Sequence, residues 1–127
     1  MIVADASAAV LALLNDGEAR RALATETVVV PHLADSEVAH ALRGQVLRGR
    51  VGAADAERAL ARWARLGVRR FAVVCLLARM WELRDNLTAY DATYVALAEA
   101  LGYQLLTADA RLANAPGPKC TIVVVRR

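Results

Sequence analysis

Between Thr88 and Asp109 the sequence changes its hydrophobic period once, at a single glycine. Ahead of Gly102, Tyr90, Tyr94, Leu97 and Leu101 recur at helical spacing behind Thr88, a residue type that caps helix starts. Beyond it, Tyr103 to Leu106 is a short apolar run closed by Thr107 and Asp109. An amphipathic helix that turns through one glycine into a buried strand is half of a parallel α/β unit. This pattern puts Asp91 in the helix's first turn and Asp109 just past the strand's carboxyl end. In open α/β sheets ligands bind at that edge, so two carboxylates are directed to one place.

The same grammar recurs along the chain. Ile2 to Ala4 is an apolar run ending at Asp5, followed by an alanine-rich helix over Ser7 to Leu14. Gly17 breaks the chain before a short helix over Glu18 to Ala24. Thr27 to Val30 is β-branched and stops at Pro31; a helix from about Ala34 follows, with Val38, Ala41 and Leu42 inward and Glu37 in its first turn. Residues 44–52 (GQVLRGRVG) form a basic turn, and Ala53 to Leu66 a helix with Ala56, Leu60 and Trp63 on one side and Arg58, Arg62 and Arg65 on another. Val68 to Phe71 is too short and charged to assign. Val73 to Leu83 reads as a buried helix holding Cys75, Met80 and Trp81, so both tryptophans and both cysteines, Cys75 and Cys120, are expected in the core. Residues 114–119 (NAPGPK) are a loop, and Thr121 to Val125 suits a parallel strand covered on both faces. The expectation is a single domain over residues 1–127, a three-layer α/β fold with four short parallel strands flanked by helices and right-handed crossovers.

Composition narrows the function classes. With 57% hydrophobic residues and a mean hydropathy of +0.33, a 127-residue chain has ample material for a core. No apolar run approaches the roughly 20 residues of a membrane span, and no basic segment precedes the first apolar residues, so a soluble cytoplasmic protein without membrane attachment is expected. The cysteines show no CxxC spacing and no neighbouring histidines, which argues against a zinc site or a disulfide framework. The net charge is only +3, yet fifteen of the sixteen basic residues are arginines, the side chain that forks onto phosphate. That suits nucleic acid, although base composition of the genome explains arginine richness as readily.

Asp5, Glu37, Asp91 and Asp109 share a topological address at the carboxyl edge of the expected sheet. Each has a plain structural alternative: Asp5 as a helix cap, Glu37 and Asp91 as residues favoured by a helix dipole. Together they present a physical problem, because two carboxylates about 5 Å apart at an effective dielectric of about 20 repel by roughly 3 kcal/mol. A divalent cation is the usual remedy. Oxygen ligands favour magnesium or manganese over zinc, and such ions catalyse phosphodiester hydrolysis by activating water.

Four segments that carry these acids resemble one family. VADAS at the start, DSEVAHALR, RDNLTAYDATYVALAEALG and LLTADARL look like PIN-domain ribonucleases of the VapC toxin type. Carried over position by position, the resemblance implies metal-binding acids at Asp5, Glu37, Asp91 and Asp109, with Ser7 and Thr107 as neighbouring hydroxyls. It further implies a PIN fold, magnesium-dependent cleavage of RNA with manganese as a substitute ion, a homodimer, and a VapB-like antitoxin partner. Residues 44–75 fall outside these motifs. A dehalogenase-like phosphatase would want a second aspartate where Ser7 stands, and a phosphoacceptor receiver domain a lysine after a late strand, whereas Lys119 lies in a Pro/Gly loop. A catalytically silent PIN-like module for binding RNA or protein is the remaining alternative.

Overall fold

In the computed structural model, which describes all 127 residues, the β-branched and apolar runs become five parallel strands: β1 (Ile2–Ala4), β2 (Val28–Pro31), β3 (Arg69–Phe71), β4 (Gln104–Thr107) and β5 (Ile122–Val124). Their order is β3-β2-β1-β4-β5. Ile2 pairs with Val28 on one side of β1 and with Gln104 on the other. The central strands read as continuous apolar runs because both faces are covered, and Val3, Val29, Val30 and Leu105 are wholly inaccessible. Each such side chain contributes roughly 1.5–3 kcal/mol by leaving water.

The helices are α1 (Ala6–Leu14), α2 (Glu18–Thr25), α3 (Leu33–Leu47), α4 (Ala53–Arg65), α5 (Leu77–Glu82), α6 (Ala89–Leu101) and α7 (Ala110–Asn114). Helices α1 to α4 pack on one another, while α6 lies against β1, β2 and β4 with α5 on its outer side. Thr88 caps α6, its hydroxyl accepting the Asp91 N–H at 3.1 Å. Gly102 ends the helix in the left-handed region at φ 71°, where a side chain would be strained. No helix is long and apolar enough to cross a membrane.

Several expectations fail, each for a physical reason. The sheet has five strands rather than four. Arg69–Phe71 is an edge strand that exposes Arg69 and Phe71 and turns the half-buried Arg70 inward, while its backbone pairs with Val29 to Pro31. At the opposite edge β5 is only half-buried, because nothing pairs beyond it. Helix α6 is less amphipathic than its spacing suggests. Ala92 to Ala98 are all buried, whereas Tyr90, in the first turn at the sheet's rim, is exposed. Val73 to Leu83 is not a buried helix but a 3₁₀ turn (Val74–Leu76) followed by the six-residue α5, with Val74, Leu77 and Trp81 exposed. Cys75 is exposed and Cys120 half-buried, so neither is a core thiol. On α4, Leu60 also faces partly outward.

Trp63 does occupy the core. Its Nε1 donates to Asp35 Oδ1 at 2.8 Å, and the same carboxylate accepts Arg70 Nε and Nη2 at 2.8 and 2.9 Å. One aspartate thereby ties α3, α4 and the edge strand β3 together.

Candidate active site

At the carboxyl end of β1 the chain enters α1 through Asp5, which is only 6% exposed. Asp5 Oδ1 accepts the Ser7 hydroxyl at 2.6 Å and the Ala8 N–H at 3.0 Å; Oδ2 accepts the Thr107 hydroxyl at 2.5 Å. The capping alternative is thus true of Asp5, and Asp5 also faces the other acids. Each hydroxyl carries one proton, and both protons go to Asp5. The 3.2 Å approach of Ser7 Oγ to Thr107 Oγ1 therefore has no proton to share. Those same oxygens accept backbone N–H groups from Ala108 and Asp109 at 2.9 and 3.0 Å, so the turn after β4 is laced to the turn after β1.

Glu37 lies in the second turn of α3, because the helix begins at Leu33 and Asp35 takes the first turn. Dipole stabilisation, which fades beyond the first turn, does not explain it. The half-buried Glu37 accepts the Tyr94 hydroxyl at 2.6 Å. Asp91 stands in the first turn of α6, one turn before Tyr94. Asp109 caps α7 by accepting the Arg111 N–H at 2.9 Å, and the Arg111 guanidinium folds back onto it.

The acids feel one another. Burial pushes the Asp5 carboxyl above its ordinary range; the Ser7, Thr107 and Ala8 hydrogen bonds pull it back, and the Asp91 charge adds to the rise. Burial also raises Glu37, against the pull of Tyr94, with further rises from Asp91 and Asp5. Asp91 is raised by burial and then by Asp109. Asp109 alone is lowered, chiefly by Arg111. No three of the acids stand close enough together to ligate one ion as they are placed.

A cavity of about 1040 Å³ opens beside Ser7 and Ala108, bordered by Arg20, Arg50, Arg58, Arg62 and Arg127. Two of these arginines have a structural duty: Arg20 donates to Ala12 O at 2.8 Å and Arg62 to Leu13 O at 2.7 Å, satisfying carbonyls at the carboxyl end of α1. Sequence reasoning treated Tyr94 as an apolar-face residue and did not weigh Arg111. The signals were present, since Tyr94 follows Asp91 by one helical turn and Arg111 follows Asp109 by two residues.

The PIN domain profile matches residues 2–118. The chain is 58% identical to ribonuclease VapC9 of Mycobacterium tuberculosis over 127 residues, covering the whole of both chains. It is 45% identical to ribonuclease VapC1 of the same organism, covering 98% of this chain and 97% of that one. Among solved structures, PAE2754 from Pyrobaculum aerophilum superposes with a TM-score of 0.71 at 28% identity, over 95% of this chain and 81% of that chain. VapC20 of M. tuberculosis, described as a sarcin-ricin loop cleaving toxin, shares the fold at a TM-score of 0.65 and 24% identity, over 90% of this chain and 94% of that one. With the profile spanning nearly the whole chain and relatives matching it end to end, this chain belongs to the PIN-domain family, among the VapC ribonucleases.

Proposed function

We propose that the protein is an endoribonuclease toxin that hydrolyses RNA phosphodiester bonds with magnesium, or manganese in its place, held by Asp5, Glu37, Asp91 and Asp109. The observation that carries this reading is the electrostatic coupling of carboxylates from β1, α3, α6 and the turn after β4, three of them pushed upward by burial and by one another. Such a site has unmet negative charge and offers only oxygen donors, which fits a hard divalent cation. When bound, the ion would activate a water for attack on phosphorus and offset charge on the departing oxygen.

The chain's own residues set the stage. Ser7 and Thr107 spend their protons fixing Asp5, so neither hydroxyl is a free nucleophile. Tyr94 fixes Glu37, and the arginine-bordered cavity beside Ser7 offers the RNA backbone a positive flank. A VapB-like antitoxin that covers this edge would restrain the enzyme, an arginine being the side chain best suited to enter the acidic pocket. The exposed apolar residues Val74, Leu77 and Trp81 support a homodimer, which light scattering of wild type and Trp81→Arg would test.

Purified protein should cleave single-stranded RNA with magnesium, stop in EDTA, and resume when magnesium or manganese is restored. A His32→Ala, His40→Ala double variant should remain active. Undiminished cleavage in EDTA would refute the metal reading; metal uptake without any cleavage would favour a silent binding module.

A further inference from the structure

Two of the four acids accept only from neutral donors, Asp5 from two hydroxyls and an N–H and Glu37 from a phenol, and the Asp91 carboxylate is in no ion pair. Asp109 alone is hydrogen-bonded to a cation, and the same guanidinium also acts through space on Asp91. Arg111 Nε reaches Asp109 Oδ1 at 3.2 Å and Nη2 reaches Oδ2 at 3.1 Å, a fork onto the carboxylate. The guanidinium is in water, with a side chain 92% exposed against 35% for Asp109. A forked pair in so much solvent is weakly held and quick to exchange. A divalent cation has twice the charge, and one drawing on Asp109 together with Asp91, whose charges act on each other, would displace it. The displaced guanidinium remains tethered two residues from Asp109, at the rim of the same edge. It is then a phosphate-seeking fork with no partner, beside an ion whose substrate brings phosphates.

We propose that Arg111 is a displaceable counter-cation, neutralising Asp109 until a divalent cation takes that carboxylate and then turning its guanidinium onto a phosphate of the bound RNA strand. This rests on the metal-dependent ribonuclease reading above. It makes Arg111 a substrate-binding residue whose removal moves two affinities in opposite directions.

The test uses the full chain as wild type, Arg111→Ala, Arg111→Lys and the exposed control Arg65→Ala. In calorimetric titration with manganese alone, Arg111→Ala should bind about threefold to fivefold more tightly than wild type, Arg111→Lys should fall between them, and Arg65→Ala should match wild type. With a single-stranded RNA oligonucleotide and magnesium, Arg111→Ala should raise KM about fivefold with kcat within about twofold, and the slope of log KM against log salt should become shallower by about 0.7, the loss of one phosphate contact. Equal manganese affinity in Arg111→Ala and wild type overturns the proposal, and so does an unchanged KM and salt slope. A wild type that takes up no manganese refutes the metal reading itself, an outcome visible before any variant is compared.

Discussion

Tyr94 donates a 2.6 Å hydrogen bond from its phenol to Glu37 Oε1, joining α6 to α3 across 57 residues of sequence. The ring is 1% exposed. Burial and the Glu37 charge hold the phenol far above its usual range, so it stays a donor at any working pH. The helix that carries Asp91 therefore also fixes the rotamer of a second acid.

Tyr94→Phe keeps the buried ring and deletes only the donor. A hydrogen bond to a charged acceptor contributes about 1.5–3 kcal/mol, less here because Glu37 is half in water, so unfolding in urea should show a loss of roughly 1–2 kcal/mol. RNA cleavage and the magnesium-induced rise in melting temperature should both shrink, since Glu37 is no longer held towards Asp5 and Asp91. Wild-type cleavage and magnesium response in Tyr94→Phe would mean that Glu37 needs no such support.

Asp91→Asn separates a metal site from a helix cap. As a residue that merely favours the helix dipole, Asp91 would be missed, by up to about 1 kcal/mol. As a half-exposed carboxyl pressed by Asp109 and by burial, it is a burden on the metal-free protein. Its neutralisation should then raise stability in EDTA by about 1 kcal/mol after solvent screening, a few degrees in melting temperature. The magnesium response and RNA cleavage should collapse. A lower melting temperature in EDTA with magnesium response and cleavage intact would identify Asp91 as a cap.

The same raised carboxyls set a pH dependence. Asp5, Glu37 and Asp91 have folded pKa values above their ordinary 3.8, 4.5 and 3.8, so between the unfolded and folded values the native state holds the extra protons. That stability is fully present below the unfolded values and is lost as pH rises through the folded ones. Asp35, Glu99 and Asp109 are lowered and act oppositely, their stability being lost as pH falls through their folded values. Urea midpoints in EDTA should therefore peak at mildly acidic pH and decline towards neutrality, while magnesium should flatten the decline. Midpoints that climb steadily to neutral pH in EDTA would contradict the coupling of these acids.

The two tryptophans should differ sharply. Trp63 is 2% exposed and bonded to Asp35, so Trp63→Ala should cost about 3–5 kcal/mol in chemical unfolding. Trp81 is 68% exposed with Arg84 stacked 4.8 Å from its ring, and Trp81→Ala should change monomer stability by less than about 1 kcal/mol. Similar losses at both positions would place Trp81 in a packed environment.

What could be read from residues alone was whatever depends on local period and on short-range caps. Thr88, Gly102 and the alternation of apolar runs with helices located β1, β2, β4, α1 and α6 because their signals lie within a few residues of one another. What escaped depends on distant partners. The strand Arg69–Phe71 exists because Val29 to Pro31 offer it a backbone, and no pattern inside RRF announces that. Asp35 carries no local sign of its role, since its partners are Trp63 and Arg70, 28 and 35 residues away. Trp81 and Cys75 were misplaced because an apolar run was equated with burial, although one short helix on the outside of α6 cannot hide every side. The hydrogen bonds of Tyr94 to Glu37 and of Arg111 to Asp109 depend on side-chain directions, which hydrophobic period and caps do not carry.

Strand β1 draws its neighbours from residue 28 on one side and residue 104 on the other, and Asp5 meets Thr107 across a separation of 102 residues. During synthesis, Asp5 leaves the ribosome long before the hydroxyl that will orient it has been translated. Half-made or clipped chains carry an aspartate but no assembled edge. The edge that gathers the acids therefore exists only in a chain whose late strand β4 has slotted in beside the first.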